Sequence, residues 1–299
     1  MKELVVISGK GGTGKTSVVA ALARLAHASM LADCDVDAAD LHLVLSPTMG
    51  STHEFSGCSQ AVIDADRCTG CGLCVEHCRF AALALNPARV DSIACEGCGL
   101  CVRICPVEAL RMEPVVNGHW WLSETRWGPL VHARLGVAED NSGKLVTLVR
   151  NEARRVAEER GLDFMLVDGA PGIGCPVIAS LSGASMVLLV TEPTVAGRHD
   201  LGRVLDLVRH FHLPFAVCIN KHDLNLRQAR AVQTEAEAAG ALFVVPIRYD
   251  RAVTDAMVAG KSVVDVTTEG AATDLSDLWF HVSTALAEVV RGTETEQGK

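Results

Sequence analysis

Along the chain, short runs of apolar and β-branched residues alternate with stretches whose apolar positions recur at helical spacing. "ELVVIS", Glu3 to Ser8, is the first run, and it ends at a glycine-rich turn as a buried strand does. A helix is expected from about Lys15 to His27, then a second buried strand, "MLADCD", Met30 to Asp35. In "NSGKLVTLVRNEARRVAEERG", Asn141 or Ser142 is the N-cap candidate. Leu145, Leu148, Val149 and Val156 form its apolar stripe, and Gly161 closes the helix. "DFMLVDG" and "MVLLVTE" read as strands, followed by a helix near Arg198 to Phe211 and the strand "FAVCIN". A helix near Leu226 to Ala239, the strand "ALFVVP" and further helices to about Arg291 complete the pattern. Strands apolar on both faces and separated by helices predict an α/β fold with a mostly parallel sheet between helical layers. The tail "GTETEQGK" is expected to be disordered.

After Leu45 the alternation breaks up, and a cysteine-rich block from Cys58 to Glu113, bounded by Pro114, lacks long helical periodicity. It reads as an insertion: residues 58–113 within a larger domain made of 1–57 and 114–299. The block is an internal repeat. Cys68, Cys71, Cys74 and Cys78 recur twenty-seven residues later as Cys95, Cys98, Cys101 and Cys105, and Ala82-Leu83 recurs as Ala109-Leu110. A length of 299 residues accommodates one large and one small domain.

Charge and composition narrow the partners. The net charge is −9 and the basic residues are scattered, so the broad positive face of a nucleic-acid binder is not expected. "MKELVVISGK" lacks the pattern of a signal peptide and no eighteen-residue apolar run occurs, so no membrane span and a cytoplasmic location are expected. Twelve cysteines in a reducing compartment point to metal or redox chemistry rather than disulfides.

The loop after the first strand, "SGKGGTGKTS", contains Gly9-Lys10-Gly11-Gly12-Thr13-Gly14-Lys15-Thr16 followed by Ser17, and fits G-x-x-x-x-G-K-[ST] between strand and helix. In such a loop the backbone N–H groups and the helix N-terminus cradle phosphates. Lys15 reaches the outer phosphates, and Thr16 is the candidate ligand for Mg²⁺. These nine residues are the candidate nucleotide-binding loop. Lys10 is a second lysine that phosphate binding alone does not require.

With that lysine, "KGGTGKT" resembles the deviant Walker A motif of the MinD/Mrp/ParA class of P-loop ATPases. The resemblance implies an ATP-dependent homodimer in which Lys10 reaches the partner's phosphates, so that hydrolysis depends on dimerisation. It implies further roles position by position. Asp168 in "MLVDGAPG" matches the aspartate that holds the Mg²⁺ water shell, and Asp35 or Asp37 in "DCDVDAADL", with Asp37 favoured, matches the one that orients the attacking water. Asn220 in "VCINKHD" matches a base-reading asparagine, and Pro246 and Asp250 in "VPIRYD" fall where the family touches base or ribose. Asn220-Lys221-His222-Asp223 also satisfies N-K-x-D, a guanine-reading motif, so GTP stays open beside ATP.

Each cysteine repeat reads C-x₂-C-x₂-C-x₃-C, the bacterial ferredoxin run, whose fourth cysteine serves the other cluster. Two [4Fe–4S] clusters follow, one on Cys68, Cys71, Cys74 and Cys105, the other on Cys95, Cys98, Cys101 and Cys78. Tetrahedral zinc is the alternative that paired cysteines allow. Pro106 follows Cys105 as in that run, whereas Arg79 replaces the proline after Cys78, which implies a less rigid loop or a more labile cluster. Cys34 and Cys218 read as core residues, and Cys175 as either packing or a bridging cluster ligand, since its place after Asp168 resembles that in the nitrogenase iron protein.

Three of the four tryptophans fall in "HWWLSETRWGPLVHARLG", His119 to Gly136, read as an apolar seam between insert and core or as a partner-binding surface. The helix from Asp274 to Arg291 has apolar Leu275, Leu278, Val282, Leu286 and Val289 but a single basic residue, so it is expected to pack on the core rather than on a membrane. The whole pattern is similar to MinD-superfamily P-loop ATPases with an inserted ferredoxin-like α+β domain. That resemblance implies ATP, Mg²⁺ and two [4Fe–4S] clusters as cofactors, and a redox or iron–sulfur recipient protein as partner. Electron transfer, cluster delivery and positioning scaffold are the functions open at this point.

Overall fold

The computed structural model describes residues 1–27, 29–136 and 142–297, with side chains as far as Val289. The strands are β1 (Lys2–Ser8), β2 (Met30–Asp33), β3 (Thr48–Phe55), β4 (Cys58–Ile63), β5 (Leu83–Ala84), β6 (Arg89–Val90) and β7 (Leu110–Val115). They continue with β8 (Gly118–Thr125), β9 (Gly128–Leu135), β10 (Phe164–Pro171), β11 (Met186–Thr191), β12 (Phe215–Asn220) and β13 (Val244–Ile247). The helices are α1 (Lys15–Ala26), α2 (Leu41–Leu45), α3 (Leu73–Glu76), α4 (Leu100–Ile104) and α5 (Ser142–Arg160). After them come α6 (Cys175–Leu181), α7 (Val195–His210), α8 (Leu226–Ala238), α9 (Arg251–Val258) and α10 (Ala271–Gln297). The chain divides into two compact units: one of residues 1–53, 120–134 and 142–299, the other of Glu54–His119 with Leu135 and Gly136.

In the larger unit a nine-stranded sheet runs in the order β13-β12-β11-β1-β10-β2-β9-β8-β3. The pairs from β13 to β9 are parallel, and parallel neighbours need crossover connections, which the helices supply. Leu4 to Ile7 of β1 are fully buried because the strand lies between β10 and β11 with helices on both faces. β1 is also where the chain reverses its direction of travel across the sheet, with β10 and β2 on one side and β11, β12 and β13 on the other. Open α/β sheets bind ligands beyond the carboxyl ends of such strands. The loop from Ser8 to Lys15 leaves β1 at that point, with Asp33 and Asn220 closing β2 and β12 and Asp168 lying within β10.

One buried ion network pins α5 and α6 to the sheet. Glu3 of β1 accepts from Arg150, which is 2% exposed, and from Arg154 Nε at 2.5 Å, while Arg150 Nη1 donates to Ala179 O at 3.0 Å. Each charge has its partner, as burial requires.

The smaller unit pairs β4 with β7 and β5 with β6, both antiparallel, and places α3 and α4 after the two glycine-rich cysteine loops. Ala61, Cys74, Leu83 and Leu110 form its centre.

Three strands of the nine-stranded sheet were not expected. Thr48 to Glu54 of β3 is exposed throughout, so it carries no apolar alternation to mark it. The tryptophan-rich stretch, expected as an apolar seam or a partner-binding surface, forms β8 and β9, and its rings stack on residues of the larger unit: Trp127 under the Arg24 guanidinium at 4.6 Å, Trp121 on His132 at 5.3 Å and Trp120 on His53 at 4.1 Å. β2 ends at Asp33, two residues early, and β13 begins at Val244. α10 runs on to Gln297, so residues 292–297 of the expected disordered tail are helical, while its Leu275, Leu278, Val282 and Leu286 are buried in the core. Ser142 opens α5, and the other N-cap candidate, Asn141, lies outside the described residues.

Candidate functional site

A cleft of about 410 Å³ opens at the carboxyl ends of the central strands, lined by Gly11 to Ser17 together with Asp35, Asn220 and Asp250. Gly14 caps α1 with φ of 90°, and a Cβ there would collide with the Asn220 amide. That amide donates from Nδ2 to Thr13 O at 2.8 Å, so the asparagine holds the loop itself. Only glycine satisfies both demands at position 14.

Lys15 is 6% exposed and lies against the Asp168 carboxylate, with Asp35 Oδ2 at 3.3 Å. Burial works against its charge, but Asp168, Asp35 and Asp33 outweigh it and hold the ammonium above its ordinary pKa. Asp168 is fully buried, and its Oδ2 has no hydrogen-bond partner; Thr13 Oγ1 is buried in the same condition.

Sequence reasoning missed Asp33. It sits beside Asp168 in the parallel register, fully buried, and accepts from Asp35 N at 3.1 Å and from Leu41 N at 3.3 Å. Burial and the Asp168 charge push its carboxyl well up. Asp33 therefore ties down both ends of the segment that carries Asp35. Burial also raises the Asp35 carboxyl, and Lys15 works against the rise. Asp37, favoured from sequence, is exposed and lines an adjoining cleft with His42 and Trp121, one that shares Ala38 and Asp40 with the first.

Lys10 is not in the lining. Its ammonium meets Glu192 Oε1 at 2.6 Å, and Lys221 Nζ stands 3.8 Å from the same carboxylate. Gly9 lies outside the lining as well, packed close to Asp200. Pro246 is exposed in β13 and does not line the cleft; Lys221 of the N-K-x-D stretch does, as do Arg248 and Tyr249, which were not anticipated. Asp250 caps α9 through Ala252 N at 2.9 Å and holds Ala271 N at 3.1 Å. Asp223, the guanine-reading candidate, accepts from Tyr249 N at 2.7 Å and is not part of the lining. The signals available in the sequence were the D-x-D spacing of Asp33 and Asp35 and the chain's single tyrosine.

All eight repeat cysteines are free thiols in two cavities. Cys68, Cys71, Cys74 and Cys105 line one, and Cys78, Cys95, Cys98 and Cys101 line the other, which Cys74 also borders. Among the described residues no three His, Cys, Asp or Glu side chains converge on a single metal ion. Cys34 and Cys218 are fully buried, while Cys175 opens α6 and is exposed rather than packed.

Comparison with known proteins agrees with this division. Residues 61–112 match the 4Fe-4S dicluster domain family, so the smaller unit is an iron–sulfur binding domain. The uncharacterized protein MJ0578 of Methanocaldococcus jannaschii is 34% identical over 230 residues, 75% of this chain and 79% of that one. The cell division ATPase MinD of Pyrococcus furiosus aligns with a TM-score of 0.56 at 17% identity, covering 95% of this chain and 99% of that one. MinD in the Aquifex aeolicus MinC:MinD complex does so with a TM-score of 0.56 at 20%, covering 95% and 96%. The fold is thus that of MinD-like P-loop ATPases. The chain belongs to the same family as MJ0578, and within it a MinD-like fold carries a 4Fe-4S dicluster domain.

Proposed function

We propose that the chain is a dimerising ATPase that couples nucleotide binding and hydrolysis to electron transfer through two [4Fe–4S] clusters. The observation that carries this reading is the presence, in one chain, of the Lys15–Asp168–Asp35 cleft and of two cavities each lined by the four cysteines of one crossover set. The orphaned Asp168 Oδ2 and Thr13 Oγ1 fit a site that is completed by a magnesium nucleotide. When bound, Mg²⁺ would neutralise phosphate charge, with Thr16 and Asp168 as the residues that hold it.

The chain's own groups supply the rest. Lys15, released from Asp168 and Asp35, meets the phosphates, and the loop N–H groups orient them. Asp35, placed by Asp33 and facing the cleft, orients the attacking water in preference to Asp37. Lys10 serves the phosphates of a second copy, which accords with its place outside its own cleft. Adenine is favoured over guanine because Asp223, held by Tyr249 N, does not line the cleft. Asn220 contributes by bracing the loop, and Asp250 by shaping the wall.

The partner is a redox protein or an iron–sulfur recipient. No helix of the described residues is long and apolar enough to cross a membrane. A scaffold role of the kind that the MinD names suggest is not favoured, since the apolar stripe of α10 is spent on the core. ATP hydrolysis by the anaerobically loaded chain tests the reading, with lysine-to-alanine substitution at Lys10. Turnover that rises with chain concentration and collapses in Lys10→Ala supports it; concentration-independent turnover indifferent to Lys10 refutes it.

A further inference from the structure

The two cysteine cavities share one backbone pattern. Gly70 and Gly72 have φ of 69° and 83°, and Gly97 and Gly99 have 64° and 72°. Ala81 and Glu108, each three residues beyond the last cysteine of its repeat, have 52° and 50°. What distinguishes the cavities is therefore their side chains and the room these leave.

The cavity of Cys68, Cys71, Cys74 and Cys105 is about 20 Å³ and walled by apolar groups such as Ile63, Leu85 and Leu110. That of Cys78, Cys95, Cys98 and Cys101 is about 260 Å³ and has Arg79, Phe80 and Glu96 on its wall. Cys74 of the first set is buried, whereas no cysteine of the second set is. Cys105 Sγ accepts from Ala109 N at 3.2 Å, and the ring of Pro106 restrains the backbone behind it. Behind Cys78 stands exposed Arg79.

We infer that Cys78, Cys95, Cys98 and Cys101 form an exchangeable iron–sulfur site, while Cys68, Cys71, Cys74 and Cys105 hold their cluster permanently. The inference rests on the two-cluster reading above. Exchange is ligand substitution: an incoming thiolate forms one Fe–S bond as one cysteinate leaves, with charge and electron count unchanged. It needs room for the entering ligand beside the departing one, and a wide cavity supplies that room. Of the two charged side chains on the wall, Arg79 and Glu96, the Arg79 guanidinium beside Cys78 is the one that meets an anionic entering group. The recipient is accordingly a protein that presents thiolates.

Iron release from the full, anaerobically loaded chain to the anionic chelator bathophenanthroline disulfonate separates the sites. The wild-type chain carries about eight irons, one [4Fe–4S] per cavity, and half of them should leave at least tenfold faster than the rest. Arg79→Pro slows the fast phase. Cys98→Ser removes it and leaves the slow one, and Cys71→Ser does the reverse. A single phase for all irons, or a fast phase that survives Cys98→Ser and disappears in Cys71→Ser, overturns the inference while leaving two clusters in place. A chain that holds zinc, or never more than half the iron, overturns the two-cluster reading and this inference with it.

Discussion

At the residue scale, the cleft is organised by carboxylates of unequal station. Asp35 reaches Lys15 and faces the cleft, so Asp35→Asn should lower turnover by about 10²–10⁴ while leaving nucleotide binding nearly intact. Asp37→Asn, at an exposed position, should stay within a few-fold of wild type; phosphate release with a parallel binding titration distinguishes the two. Lys10 is held by Glu192, a contact that competes with any reach toward a second copy. Glu192→Gln should therefore raise turnover, Lys10→Ala should reduce it by about 10³, and the double variant should match Lys10→Ala alone. If Glu192→Gln slows the enzyme, the carboxylate is a support rather than a restraint. The phosphate loop and the cysteine runs were legible because their chemistry is set by neighbours a few positions apart in sequence. Arg248 and Tyr249 of the lining, and Asp33 and Glu192 that hold residues of the loops around it, were not, because they come together only when the ends of β2, β11 and β13 are brought side by side.

At the scale of elements, apolar runs marked the strands buried on both faces, and β1, β10, β11 and β12 lie within two residues of expectation. β3 escaped for a physical reason: at the sheet's end it is exposed along nearly all its length, and pairing rather than hydrophobic pattern holds it, while β8 is only partly buried and β9, though largely buried, carries Pro129, His132 and Arg134 among its apolar residues. The joint between β1 and α5 rests on charge. Glu3→Gln leaves Arg150 buried against a neutral partner and should cost about 3–5 kcal/mol in denaturant unfolding, with no change in the folded secondary structure. In β9, burial and the neighbouring His42 lower the His132 pKa to about 4. The unfolded chain then binds a proton there that the folded chain refuses. The contribution is complete above the ordinary histidine value of about 6.5 and is lost as pH falls toward about 4, on the order of 3 kcal/mol. His132→Phe, which keeps a ring against Trp121, should flatten the stability profile in that window; an unchanged slope would show that His132 is not the titrating group.

At the scale of the molecule, a nucleotide cleft and an iron–sulfur domain share one chain, and coupling between them is the claim on which the proposed function turns. Nucleotide can act on the clusters only if it changes their free energy of reduction, and linkage then requires reduction to change nucleotide affinity by the same factor. Neither effect is visible in a motif. The sequence pattern identifies both partners of the coupling and is silent on its size, because that size is a difference between two states of the assembly. The most direct measurement is a reduction titration of the loaded Asp35→Asn chain, followed by electron paramagnetic resonance, with and without saturating ATP. We predict that ATP shifts at least one cluster's reduced-to-oxidised ratio tenfold or more at fixed potential, which is 59 mV for one electron. Superimposable titrations, in a chain shown by the same sample to have bound ATP, would contradict the account.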